Sequence, residues 1–120
     1  MAVILIIEDE IFLRNLIRKM LELKGYSCVE ASNGVEGMQM LSEITPQLII
    51  CDVMMPLADG FEVLQHIKST ENLQHIPFVF LTARADTVDK NRASEMGASA
   101  YLTKPFSITD LLSTVQSLLI

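Results

Sequence analysis

Leu48-Ile49-Ile50-Cys51 is an unbroken apolar run ended by a carboxylate, Asp52, and followed by Val53-Met54-Met55-Pro56. A short continuous apolar run bounded by turn residues is the mark of a strand covered on both faces. Such strands belong to parallel sheets with helices above and below. A carboxylate at the end of one stands at the carboxyl edge of the sheet, where open α/β sheets hold their sites. Val3–Ile7 and Phe78–Leu81 have the same character. Tyr26–Ala31 and Ser99–Leu102 are strand-like but more polar, as edge strands tend to be.

Helix-period segments lie between these runs. Leu13, Leu16, Ile17 and Met20 form an apolar stripe, and Gly25 is placed to end that helix. Asn33 with Glu36 reads as a capping pair ahead of Val35, Met38 and Leu41. Gly60 opens a helix with Phe61, Leu64 and Ile67 on one face. In the last helix Ser107 and Asp110 form a cap-like pair and Phe106 can staple onto Leu111. Its apolar face is Ile108, Leu111, Leu112, Val115, Leu118 and Leu119. The fourth helix, about Asp86 to Met96, offers only Val88, Ala93 and Met96 for burial and is expected to be loosely held. Five strands alternating with five helices predict one doubly wound α/β domain over residues 1–120. With the polar strands second and fifth, the spatial order is the flavodoxin-like 2-1-3-4-5.

The bulk properties exclude several classes. Half of the 120 residues are hydrophobic and a fifth are charged, a globular balance. The net charge of −6 argues against direct nucleic-acid binding. The apolar start Ala2–Ile7 lacks a basic flank and is cut off by Glu8-Asp9-Glu10, too short for a membrane span. A cytoplasmic location is therefore expected, without membrane contact. Cys28 and Cys51 lie in strand-like runs and read as reduced core thiols, and His66 and His75 as surface residues.

The proposed strand order brings five polar residues to one edge. Glu8 and Asp9 follow the first strand, Asp52 ends the third, Thr82 follows the fourth, and Lys104 comes just after the fifth. Three clustered carboxylates repel one another unless positive charge sits among them. An all-oxygen cluster suits a hard divalent cation such as Mg²⁺. Lys104 supplies a positive charge for a phosphoryl oxygen, and a carboxylate can act as nucleophile to form an aspartyl phosphate. Singly, each residue has an ordinary explanation: helix-start acids for Glu8 and Asp9, a turn cap for Asp52, an ordinary strand-end hydroxyl for Thr82, a solvated loop charge for Lys104. Their convergence on one edge is the stronger observation.

Ile6-Ile7-Glu8-Asp9-Glu10, Cys51-Asp52-Val53-Met54-Met55-Pro56, Phe80-Leu81-Thr82-Ala83 and Tyr101-Leu102-Thr103-Lys104-Pro105-Phe106 together resemble the response-regulator receiver family of two-component phosphorelay systems, over the whole chain. The resemblance implies that Asp52 is the phosphoacceptor. Glu8 and Asp9 match the acid pair that binds Mg²⁺, with the backbone carbonyl of Met54 as a further ligand. Glu8 stands where Asp is also common, and its longer side chain could reach the metal through water. Thr82 matches the hydroxyl that moves toward the phosphoryl group, Tyr101 the aromatic that changes rotamer, and Lys104 the family lysine, with a cis bond to Pro105. The implied partner is a sensor histidine kinase or phosphotransfer protein. The domain would catalyse its own phosphorylation and dephosphorylation rather than turn over a substrate.

On this reading the phosphoryl group draws in Thr82 and Lys104, Tyr101 fills the vacated space, and the face of the fourth helix, fifth strand and fifth helix responds. Met54 and Arg84 border the phosphoryl position. Methionine cannot orient an attacking water strongly, so self-dephosphorylation is expected to be slow. Two rivals fit less well: the acidic loop after the first strand repels the phosphate of a flavin, and an aspartyl phosphatase carries a second acid where Met54 stands. A non-phosphorylated pseudo-receiver is the remaining alternative; its sign is loss of the acids or the lysine, and none is lost. The output stays open between a stand-alone receiver and one belonging to a larger protein. Gly97-Ala98-Ser99-Ala100-Tyr101 and Thr114-Val115 lack the charges with which winged-helix regulators pair, so that dimer is not expected.

Overall fold

The three apolar runs form the middle of one parallel sheet. The computed structural model describes residues 2–83 and 87–119. In it β1 (Val3–Ile7), α1 (Ile11–Leu23), β2 (Ser27–Ala31), α2 (Gly34–Leu41) and β3 (Leu48–Asp52) are followed by α3 (Gly60–Lys68), β4 (Phe78–Thr82), α4 (Thr87–Glu95), β5 (Ala100–Thr103) and α5 (Ile108–Leu118). The strands are ordered β2-β1-β3-β4-β5, the flavodoxin-like order. β1, β3 and β4 are buried almost throughout, whereas β2 and β5 at the edges are half-buried.

Alternation along the strands divides the core between the two faces. Leu5, Ile7, Ile49, Cys51, Phe78 and Phe80 pack with Leu41 of α2, Phe61, Leu64 and Ile67 of α3, and Ala93 of α4. Ile4, Ile6, Leu48, Ile50, Val79 and Leu81 pack with Ile17 and Leu21 of α1 and with Leu111 and Val115 of α5. No helix among the described residues is long and apolar enough to cross a membrane. Both cysteines are free thiols. Burial pushes Cys51 well up and Cys28 to about 11, so both stay protonated at neutral pH. His75 is exposed as expected, and His66, in the last turn of α3, is half-buried.

The helix ends follow their local chemistry. Gly25, at φ 91°, takes the left-handed conformation just past α1. Asn33 accepts from the Glu36 amide at 2.8 Å, and Ser107 from the Asp110 amide at 3.0 Å. The α3 start carries a capping box between Asp59 and Glu62 that the sequence reading passed over.

Three apolar residues depart from expectation. Leu16 is 44% exposed while Leu21 is fully buried, because Ile17 and Leu21, four apart, share the side of α1 that meets the sheet. Leu16 instead lines a groove beside Phe106 and Ile108. Ile108 is partly exposed there, one turn before the buried Leu111 and Val115. In α4, Val88 is 72% exposed and Ala93 is its buried apolar residue.

Candidate functional site

Parallel register carries β3 and β4 to the same edge, where Asp52 pairs with Leu81 and Thr82 with Thr103. Asp52 and Thr82 are the last residues of their strands. Glu8 and Asp9 leave β1 directly, and the Glu8 amide still donates to the carbonyl of Ala31 at 3.1 Å. Lys104 leaves β5 with its amide bonded to the Thr82 carbonyl at 2.6 Å, and the Lys104-Pro105 bond is cis.

The side chains converge. Lys104 Nζ donates to Glu8 Oε1 at 2.9 Å and to Asp52 Oδ2 at 3.1 Å. Carboxylate oxygens of Glu8, Asp9 and Asp52 lie within 4.8 Å of one another. Glu8 is wholly buried and Asp52 nearly so, whereas Asp9 faces solvent. Burial pushes Glu8 up to about 7, only partly offset by bonds from Lys104 and the Glu10 amide, and the Asp52 charge adds to the rise. Burial works against the Lys104 charge, yet the bonds and charges of Glu8 and Asp52 raise its pKa overall. Lys104 thus bonds two of three clustered acids, an oxygen-rich and electron-rich group that fits a hard cation.

Backbone packing shapes the floor. Gly60 donates to the Val53 carbonyl at 2.8 Å, folding the chain after β3 back onto its strand. A Cβ on Gly60 would lie 2.4 Å from the Asp52 carbonyl oxygen and 2.7 Å from the Phe80 ring, so only glycine fits. Leu57 completes that turn with φ 73° and is largely exposed.

A cleft of about 210 Å³ opens beside the cluster, lined by Asp52, Met54, Thr82, Ala83 and Lys104. Met54 is 60% exposed at its mouth. Arg84, expected across from it, lies outside the described residues. Tyr101 does not line this cleft. It is half-buried on β5 with its ring centroid 6.1 Å from that of Phe80, and it borders a separate cleft with Lys90, Ala93 and Ser94 of α4. The structure therefore brings Glu8, Asp9, Asp52, Thr82 and Lys104 together, with Met54 at the rim and Tyr101 one layer away toward α4.

One contact was invisible in the sequence. Arg14, in the first turn of α1, donates from Nη1 to the Glu8 carbonyl at 2.8 Å. An arginine six residues beyond an acid carries no pattern that predicts this.

A family model described as response regulator receiver domain matches residues 4–116. The chain is 38% identical over 116 residues to the DNA-binding dual master transcriptional regulator RpaA of Synechocystis sp., covering 97% of this chain but 48% of that protein. It is 34% identical to the polar-differentiation response regulator DivK of Brucella anthropi, covering 97% of this chain and 94% of DivK. Among solved structures, the receiver domain of sensor histidine kinase PA1611 from Pseudomonas aeruginosa PAO1 superposes with a TM-score of 0.89 at 27% identity, covering 98% of this chain and 97% of that one. That structure is described as having a magnesium ion coordinated in the active site cleft. Fold, edge constellation and family match agree, and the chain belongs to the response regulator receiver domain family of two-component systems.

Proposed function

We propose that Asp52 accepts a phosphoryl group from a phosphohistidine on a sensor histidine kinase or phosphotransfer protein. The observation that carries this reading is the Asp52 carboxylate held 3.1 Å from Lys104 Nζ, inside a three-acid cluster at the carboxyl edge of the sheet. Glu8, Asp9 and Asp52, with the backbone carbonyl of Met54, would hold Mg²⁺, which when bound supplies positive charge against the phosphoryl oxygens.

An oxygen of Asp52 attacks phosphorus, the bond from the histidine nitrogen breaks, and the imidazole leaves with its electron pair. Lys104 neutralises charge on the phosphoryl oxygens. Thr82, at the end of the adjacent strand, donates its hydroxyl to one of them. Its movement leaves room for Tyr101, whose position between Phe80 and α4 supports a coupled response of the α4-β5-α5 face. The reaction occurs on the domain's own side chain, once per transfer, in the cytoplasm. The intact set of acids and lysine favours this reading over an interaction-only module. Acetyl phosphate with Mg²⁺ should add one phosphoryl mass to the wild-type chain and none to Asp52→Asn. Equal labelling of the variant would refute the assignment.

A further inference from the structure

We infer that Arg14 is a positioning residue for the acid pair, held in place by Glu30; the inference rests on the metal-binding role proposed for Glu8 and Asp9. The loop Glu8-Asp9-Glu10 enters α1 without a side-chain cap, since the N-cap residue Glu10 makes no such bond. Here both sides of the Glu8 backbone are taken: its N–H donates to the Ala31 carbonyl at 3.1 Å, and its carbonyl accepts from Arg14 Nη1 at 2.8 Å. The plane of the Glu8-Asp9 peptide is fixed by the second of these. That plane sets where the Asp9 carboxylate projects, and Asp9, being exposed, has little packing to hold it.

Arg14 is itself braced. Its Nε lies 3.4 Å from Glu30 Oε1, and Arg18 Nε lies 3.6 Å from Glu30 Oε2. Glu30 is on β2, paired with Ile6 of β1, so the brace runs from the edge strand across α1 to the loop that carries the acids. The Arg14 side chain is 15% exposed and that of Glu30 28%. The pair is an ion pair rather than a hydrogen bond, since Arg14 Nε and Glu30 Oε1 make none among the described residues, and partial burial leaves it less screened than a surface contact. A guanidinium can serve both ends, one nitrogen hydrogen-bonded to the carbonyl and its delocalised charge beside the carboxylate; an ammonium is a single point charge.

Partners behind a metal's ligands typically change affinity on the order of 10-fold or more when removed. Arg14→Lys keeps the charge and Glu30→Gln keeps the size, so these two variants test the brace with least disturbance. Mg²⁺ titration by calorimetry should show affinity about 10-fold weaker in Arg14→Lys and weaker in the same direction in Glu30→Gln. At saturating Mg²⁺ both should be labelled by acetyl phosphate at near wild-type rate. In metal-free buffer the Glu10 amide, bonded to Glu8 Oε2 at 3.1 Å, should exchange its hydrogen faster in both variants. A purely structural ion pair would lower the melting temperature and leave Mg²⁺ affinity unchanged, and that result overturns the inference. If the wild-type chain itself fails to bind Mg²⁺, the metal-binding reading falls, and the positioning role falls with it. Should Arg14→Lys not fold, Glu30→Gln decides alone by the same measurements.

Discussion

Glu8 is an acid whose surroundings work against its charge. It is fully buried, next to Asp52, and relies on one shared lysine and one amide. Its pKa of about 7, against 4.5 for an unperturbed glutamate, means that the folded chain holds this proton more tightly than the unfolded chain does. Stability from this group is fully present below the unfolded value and is lost as pH rises through about 7. Thermal unfolding in chelator-containing buffer should therefore show wild-type stability declining between about pH 5 and pH 8 by on the order of 2–3 kcal/mol relative to Glu8→Gln. Coincident pH profiles for the two proteins would contradict the account. At the rim of the cleft, Met54 offers no strong hydrogen bond to a water attacking the phosphoryl group. Met54→Asn should shorten the lifetime of the phosphorylated chain, measured by its decay after removal of phosphodonor; an unchanged lifetime would count against Met54 as the cause. The charge-bearing residues were legible because they stand at strand ends, where a run of apolar letters stops. Arg14 and Glu30 were not, because an arginine on a helix and a glutamate on an edge strand look alike whether solvated or braced.

At the scale of elements, α4 differs from its neighbours. Among the described residues Ala93 is its one fully buried apolar side chain. The guanidinium of Arg92 lies 4.0 Å above the Phe61 ring, tying α4 to α3 across a cleft that Asp59 and Asp89 also line. Such a contact near the surface is worth about 0.5–1 kcal/mol, a sizeable part of the attachment of an element that buries so little. Arg92→Ala should speed hydrogen exchange of the α4 amides several-fold while leaving those of β3 at the wild-type rate. Unchanged exchange in α4 would show that the helix is held by something else. The thin apolar stripe was readable in advance, and the structure thins it further by exposing Val88. What holds the helix instead was not readable, since a cation over a ring joins two helices that no periodicity connects. The same limit applied to α1: its stripe was evident, but whether Leu16 or Leu21 meets the sheet depends on where the helix docks.

For the whole molecule, strand order does most of the functional work. Placing β1 between β2 and β3 brings residues 8, 9, 52, 82 and 104 within one edge, though they are far apart along the chain. That order followed from which strands were continuous apolar runs and which were mixed, because burial on both faces leaves no room for polar residues. The fold class and the convergence of these five residues on one edge were therefore legible, whereas the pairing of Lys104 with both Glu8 and Asp52 needed coordinates. The central claim is that Asp52, among several nearby carboxylates, takes the phosphoryl group. An acyl phosphate is reduced by borohydride to an alcohol, which leaves a homoserine where the phosphorylated aspartate stood. Treating the acetyl phosphate-labelled chain with borohydride and mapping its peptides by mass spectrometry should place homoserine at position 52 and nowhere else. Homoserine at Asp9 or Asp59, or a labelled chain with position 52 unmodified, would contradict the account.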